Sequence, residues 1–331
     1  MHLFFVLSGF LITGALLDSK KSPNYYTSFF GRRVLRIFPL YYLMLIAVLV
    51  IWPLVGTQEV RLRETAQYQA PLWVFLQNWT MPLGYDVKGL SHFWSLAVEE
   101  QFYLVWPFVV MRLSTRGVVK VCAALVVIAL AVRAVFWSIG ASPEWSYSFT
   151  ICRMDALAMG AALAALLRMP GWIEYFERNR RAVFGIALIV PVACALITHD
   201  YYREGLVTQI VGYPLLGAAF AALILIAVMD SGQRNGWLIR GMNLKWLRAC
   251  GKYSFAMYVF HFPLNRYVFA PMVEHAGHVK MMLYAIAMIP VSFVVGVLSW
   301  HLIEKHFLKL KKYFKTEVEK PSPQTNTLAG V

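Results

Sequence analysis

The 331-residue sequence predicts an all-α fold, a polytopic membrane bundle of about nine helices, on three observations. Only 15% of the residues are charged, against about 25% in a soluble domain, so there is too little charge to coat a water-facing globule. Nine stretches, roughly 1–17, 37–56, 92–111, 121–140, 149–167, 182–198, 207–229, 253–271 and 281–303, approach the ~20 apolar residues that a helix needs to cross a bilayer. The cations also alternate. If the stretches cross in turn, 23 of the 31 Lys and Arg fall in the segments of one side and five in those of the other. The remaining three, Arg133, Arg153 and Arg266, lie within spans. That bias is the signature of cytoplasmic loops. It accounts for the net charge of +14, so the expected partner is a lipid bilayer and nucleic acid is not expected.

The first stretch has no basic leader and no cleavage site, so it reads as a span and not as a signal peptide. It runs into the basic segment 18–36, which the alternation assigns to the inside. Met1 then lies outside, and the expectation is that a further helix precedes this sequence. After the span 37–56, the patch 71–83 is too short to cross and holds Pro71 and Pro82, so it reads as interfacial or re-entrant. Stretch 92–111 carries adjacent carboxylates, and 121–140 carries Arg133. Stretch 149–167 opens with Arg153-Met154-Asp155, followed by Ala156, Gly160 and Ala164 at a spacing that lets helices approach closely. Stretches 182–198 and 207–229 hold no charged residue, 253–271 places His261 just ahead of Pro263, and 281–303 is the last span. Residues 1–315 therefore form one membrane-embedded domain. Residues 316–331, polar and containing Pro321 and Pro323, read as a disordered cytoplasmic tail. Cys122, Cys152, Cys194 and Cys250 show no ligand or redox spacing, and neither the eight histidines nor the carboxylates suggest a metal site.

Ionisable groups inside a span cost roughly 2.5–3.5 kcal/mol each on insertion scales, so those retained here are the candidates for function. They are Glu99, Glu100, Arg133, Arg153, Asp155 and Arg266, with His261 near the middle of its span. The topology assigns them to the outer half, which predicts one shared polar cavity open to the outside, with Glu100, Asp155, His261 and Ser95 as substrate contacts. Ion pairs serving only packing are the alternative. At helical pitch His92, Ser95, Glu99, Phe102 and Trp106 share a stripe, and Glu100 points about 100° away. That stripe gathers imidazole, hydroxyl and carboxylate, so His92 and Glu99 are candidate catalytic groups. Arg153 is the third: it either clamps an anionic or carbonyl group or pairs with Asp155 or Glu99. On the inner side Arg32, Arg33 and Arg36 would share a helix face. Arginine binds phosphate oxygens through paired hydrogen bonds; the alternative is that these residues only flank a span, with Tyr41 and Tyr42 as interface anchors.

Several motifs, taken in order, resemble the acyltransferase family 3 of integral-membrane O-acyltransferases. They are Phe4-Phe5-Val6-Leu7-Ser8-Gly9-Phe10-Leu11-Ile12, the run from Arg32 to Tyr42, Trp94-Ser95-Leu96 with Glu99 and Phe102-Tyr103, Arg153-x-Asp155 with Gly160, Ser254 to Pro263, and Ile303-Glu304. The resemblance implies a ten-helix core, here minus its first helix. It implies transfer of an acyl group, usually acetyl, from cytoplasmic acyl-coenzyme A, a donor substrate and not a resident cofactor, to a hydroxyl of a carbohydrate or lipid-linked glycan across the membrane. By the same resemblance Arg32, Arg33 and Arg36 hold the donor, Glu99 helps to organise the site, Arg153 positions acyl group or acceptor, and Ser8-Gly9 lets helices pack. The family's first helix carries a histidine and an upstream basic residue; no position here matches that histidine, and His2 stands elsewhere in the pattern.

Two other classes remain open at this stage. A transporter or flippase of a polar substrate fits balanced buried charge, although no inverted repeat is visible. A catalytically inactive partner subunit fits the missing histidine.

Overall fold

A computed structural model describes residues 1–55, 68–87, 89–197, 205, 207–231, 237–269 and 278–316. Each of the nine apolar stretches falls on a long helix: α1 (His2–Asp18), α2 (Tyr25–Leu45), α3 (Trp94–Arg112), α4 (Thr115–Ser138), α5 (Thr150–Leu166), α6 (Arg180–Ile197), α7 (Tyr213–Ser231), α8 (Lys245–Pro263) and α9 (His278–Ser299). There is no strand among the described residues. Among the described residues, five helices are long and apolar enough to cross a membrane: Tyr25–Leu54, Thr115–Ser138, Pro143–Leu166, Thr208–Ser231 and Ile286–Phe314. The pair Trp172–Arg178 and Arg180–Leu196, bent by 72°, makes a sixth if taken as one span. The protein is a multi-pass helical membrane protein.

Local chemistry sets the ends and breaks. The turn between α3 and α4 is tight because Ser114 caps the new helix, its hydroxyl accepting from the Gly117 N–H at 3.2 Å. Pro263 lacks an N–H and ends the regular part of α8, which continues as a π turn at Leu264–Phe269. That helix starts earlier than expected. Lys245, Arg248 and Lys252, read from sequence as loop cations, lie on its first turns. The anticipated disordered tail lies outside the described residues from 317 onward.

The core is organised by the crossing of α1 and α5. A Cβ added at Gly160 would stand 1.9 Å from the Val6 carbonyl oxygen, and one at Gly9 would stand 2.0 Å from that of Leu157. The two backbones therefore touch, which only residues without a Cβ permit, and this is the close approach that the small-residue spacing implied. α3 lies beside the pair, tied to α1 by Trp106 Nε1 donating to Thr13 Oγ1 at 2.8 Å and to α2 by Tyr25 Oη donating to the Pro107 carbonyl at 3.0 Å.

The patch 71–83 folds into the bundle as short helices at Ala70–Trp73 and Gln77–Thr80, with Gln77 and Asn78 buried. Tyr41 and Tyr42 hold it there. Their hydroxyls donate to the Leu72 and Trp73 carbonyls at 2.6 and 3.0 Å and pin this segment in place.

Candidate active site

The buried polar residues sort into a line along α3 and a separate cluster at the head of α5. The buried charges named from the sequence fall in these two groups, and Arg266 leaves the set because it is exposed.

At one end of the line the three arginines separate in role. Arg32 Nε donates to the Phe314 carbonyl at 2.7 Å, and that oxygen also accepts from Ser28 Oγ at 2.8 Å. Asn24 Nδ2 donates to the Lys315 carbonyl at 2.6 Å. Residues 310–316 are thus strapped across α2, and Gly31 makes room for the Phe314 ring, which a Cβ would meet at 2.2 Å. Arg32 is a clamp for that strap. Arg33 and Arg36 turn into the protein: the Arg33 guanidinium carbon is 5.1 Å from the Tyr103 ring centroid, and Arg36 faces the buried Glu304. The strap also brings Lys311 close enough to feel the charge of Arg36, Arg33 and Arg32. Nothing in the sequence singled out Lys311 from the other cations of that run.

The middle of the line is Glu99, 2% exposed. Its carboxyl group lies near the hydroxyls of Ser8 and Tyr103, which bond to each other; its Oε1 has no hydrogen-bond partner, and Arg33 acts on both Glu99 and the half-buried Glu100. Ser8 therefore contributes a hydroxyl to the site, while the packing role assigned to the Ser8-Gly9 step belongs to Gly9. The Tyr103 contribution was readable in the sequence, because it lies one turn from Glu99 on the same face.

At the other end, Ser95 and Tyr258 share a hydrogen bond of 2.8 Å, and Tyr258 Oη also bonds to the His92 carbonyl. A carbonyl only accepts, so the phenolic proton goes to it and Ser95 is the donor in its own bond. The expected grouping of His92 with Ser95 and Glu99 does not form. His92 sits in a 3₁₀ turn, Ser91–Phe93, ahead of α3, where helical pitch no longer holds. Its ring packs edge-on against His261, centroids 5.1 Å apart. Tyr103, Glu99 and Ser95 succeed one another at four-residue intervals on α3, so the line runs from the arginines to the histidine pair.

The second cluster holds the buried cations. Arg133 of α4 donates to Asp155 Oδ2 at 2.7 Å and to the Cys152 carbonyl at 2.6 Å. Asp155 Oδ1 accepts from the Ala156 N–H at 2.8 Å. Asp155 is thereby committed to Arg133, and Arg153, 1% exposed, pairs with neither Asp155 nor Glu99. Its guanidinium carbon lies 4.5, 5.6 and 5.8 Å from the ring centroids of Tyr213, Phe5 and Trp94, which favours a cation electrostatically. Nη2 is 3.4 Å from His2 Nε2, while Nε and Nη1 have no hydrogen-bond partner. His2, set aside in the sequence reading, stands beside Arg153. Two guanidinium nitrogens, Nε and Nη1, are thus buried without a hydrogen-bond acceptor. Among the described residues no group of His, Cys, Asp and Glu is arranged to hold a metal ion.

A family model described as "Acyltransferase domain" matches residues 1–301. The chain is 29% identical to YrhL of Bacillus subtilis over 92% of its length and 49% of that protein's. It is 28% identical to the peptidoglycan O-acetyltransferase OatA of Listeria monocytogenes over 95% of the chain and 52% of the relative. With the O-acetyltransferase OatA of Staphylococcus aureus it shares 26% identity over 91% of the chain and 51% of the relative. The chain thus spans about half the length of the curated relatives it matches. No solved structure is detectably similar to it. With the family model covering all but the last 30 residues, the chain belongs to the acyltransferase-domain family.

Proposed function

We propose that this protein transfers an acyl group, acetyl in the first instance, from acyl-coenzyme A on the cytoplasmic side to a carbohydrate hydroxyl on the far side of a bacterial-type cytoplasmic membrane. The observation that carries this reading is the line along α3, which joins a cluster of cations at one end of the bundle to a histidine pair at the other. The basic charge of the loops supports a cytoplasmic arginine end and C-terminus. The relatives named as peptidoglycan O-acetyltransferases support a cell-wall glycan as acceptor.

In this reading Arg33, Arg36 and Lys311 receive the phosphates of the donor, for which guanidinium forks are suited. The thioester end reaches toward Glu99. Glu99 holds the hydroxyls of Ser8 and Tyr103 in one arrangement and offsets the charge of Arg33. Acyl transfer develops negative charge on the carbonyl oxygen, and prearranged donors in a water-poor site lower that barrier. Arg153, with two guanidinium nitrogens uncommitted, is suited to that task.

The test is incorporation of labelled acetyl from acetyl-coenzyme A, added to the cytoplasmic face of membrane vesicles carrying the protein, into peptidoglycan fragments on the opposite face. Label should appear in alkali-labile ester and vanish in Glu99→Gln. Movement of glycan across the membrane without ester formation would instead establish the transporter reading.

A further inference from the structure

A cavity of about 530 Å³ lies at the histidine end, lined by Tyr258, His261, Asn265, Tyr284, Met288 and Ser292 among others. Its volume falls within the range of small-molecule sites, as does its apolar wall carrying a few polar groups. The polar groups are hydrogen-bonding ones: an imidazole, an amide and hydroxyls. Asn265 accepts from the Tyr284 hydroxyl, which orients the amide with its N–H₂ as the remaining donor. Such a lining, without a cation, can hydrogen-bond an uncharged polyhydroxyl compound.

His261 has a defined proton arrangement. Its Nδ1 is 2.7 Å from the Tyr258 carbonyl, and a carbonyl only accepts, so Nδ1 carries the proton and the lone pair of the neutral ring falls to Nε2. A backbone carbonyl fixing one ring nitrogen is the arrangement that orients an imidazole base. The same Tyr258 bonds through its hydroxyl to Ser95, one turn of α3 from Glu99, so the cavity adjoins the line along which the acyl group would travel. We propose that the cavity receives the sugar acceptor and that His261 Nε2 takes the proton of its reacting hydroxyl. This inference rests on the acyl-transfer reading above. In the step, the acceptor O–H bond breaks with its proton passing to Nε2, the oxygen forms an ester bond with the acyl carbonyl carbon, and the donor C–S bond breaks. The sulfur leaves as the coenzyme A thiolate and is protonated from solvent, while His261 returns its proton to solvent.

The experiment uses membrane vesicles carrying the protein, acetyl-coenzyme A as donor and soluble peptidoglycan fragments as acceptor. His261→Asn keeps an N–H donor near the position of Nδ1 and removes Nε2. It should reduce ester formation at least tenfold at saturating acceptor while leaving acetyl-coenzyme A affinity within twofold; a smaller reduction overturns the proposal. Ser292→Phe, which fills the cavity without touching the base, should raise the acceptor KM at least tenfold with the donor KM unchanged. If His261→Asn also loses donor binding, this second variant decides, and an unchanged acceptor KM overturns the proposal. Wild-type vesicles that form no ester would reject the acyl-transfer reading itself, whereas active wild type with an active His261→Asn would reject only the role of His261.

Discussion

Arg133 and Arg153 are both within the field of one carboxylate, Asp155, and Arg133 pairs with it. The outcome assigns them different consequences. Removing Arg133 leaves Asp155, 1% exposed, as a buried charge without its ion pair, a change that costs about 3–5 kcal/mol. Arg133→Ala should therefore lower the thermal midpoint in detergent by several degrees or abolish folding, and Arg133→Met with Asp155→Leu should recover most of that loss. Arg153 forms no close ion pair, so Arg153→Gln removes a buried cation whose desolvation is offset by aromatic faces and by the more distant charge of Asp155. Its stability should hold, while kcat for acyl transfer should drop by about 10²–10³, the usual cost of losing an oxyanion donor. A thermal midpoint that falls with kcat would reassign Arg153 to the scaffold.

At the scale of elements, the α1–α5 crossing brings His2 to Arg153 and fixes α1, whose Ser8 meets the Glu99 region of α3. The contact is backbone against backbone, so the helices cannot repack around an added methyl as a side-chain interface would. Gly160→Ala must drive them apart, given a Cβ position 1.9 Å from the Val6 oxygen. Overpacking of this kind costs about 1–3 kcal/mol where side chains can adjust, and backbone cannot, so the yield of folded protein should fall sharply. Gly251 supplies the control. It lies on α8 with nothing within 4 Å of its added Cβ, and Gly251→Ala should leave the thermal midpoint unchanged or raise it, since alanine favours a helix by up to about 1 kcal/mol over glycine. Equal behaviour of the two variants would refute the packing argument.

For the whole molecule, the strap formed by residues 310–316 joins the end of the described chain to α2, almost 300 residues earlier in sequence. It closes the arginine end and supplies Lys311 to the cluster. Lys311→Gln should raise the KM for acetyl-coenzyme A several-fold with little effect on kcat, and Lys311→Arg should restore it. Gly31→Leu should have the larger effect on KM, because it displaces the Phe314 ring and with it the whole strap. A donor KM unmoved by either substitution would make the strap purely structural.

The fold class, the positions of the long helices and the identity of the buried charges were all legible in the residues. Each rests on a local property: apolar length against bilayer thickness, cation bias between loops, and the cost of placing Glu99 or Arg153 in a span. The small-residue spacing through Gly160 was legible for the same reason. Partnership was not. Periodicity grouped His92 with Ser95 and Glu99, but a 3₁₀ turn just ahead of α3 rotates His92 toward His261 on α8. Three arginines in one run read as equivalent, yet the strap takes Arg32 and leaves Arg33 and Arg36 to face inward. Asp155 had two arginines within reach in sequence terms, and only the packing of α4 on α5 decided between them. Composition and spacing determine which groups are too costly to bury without a purpose; which group satisfies which depends on side-chain distances of a few ångströms across helices remote in sequence, and those exist only once the bundle has closed.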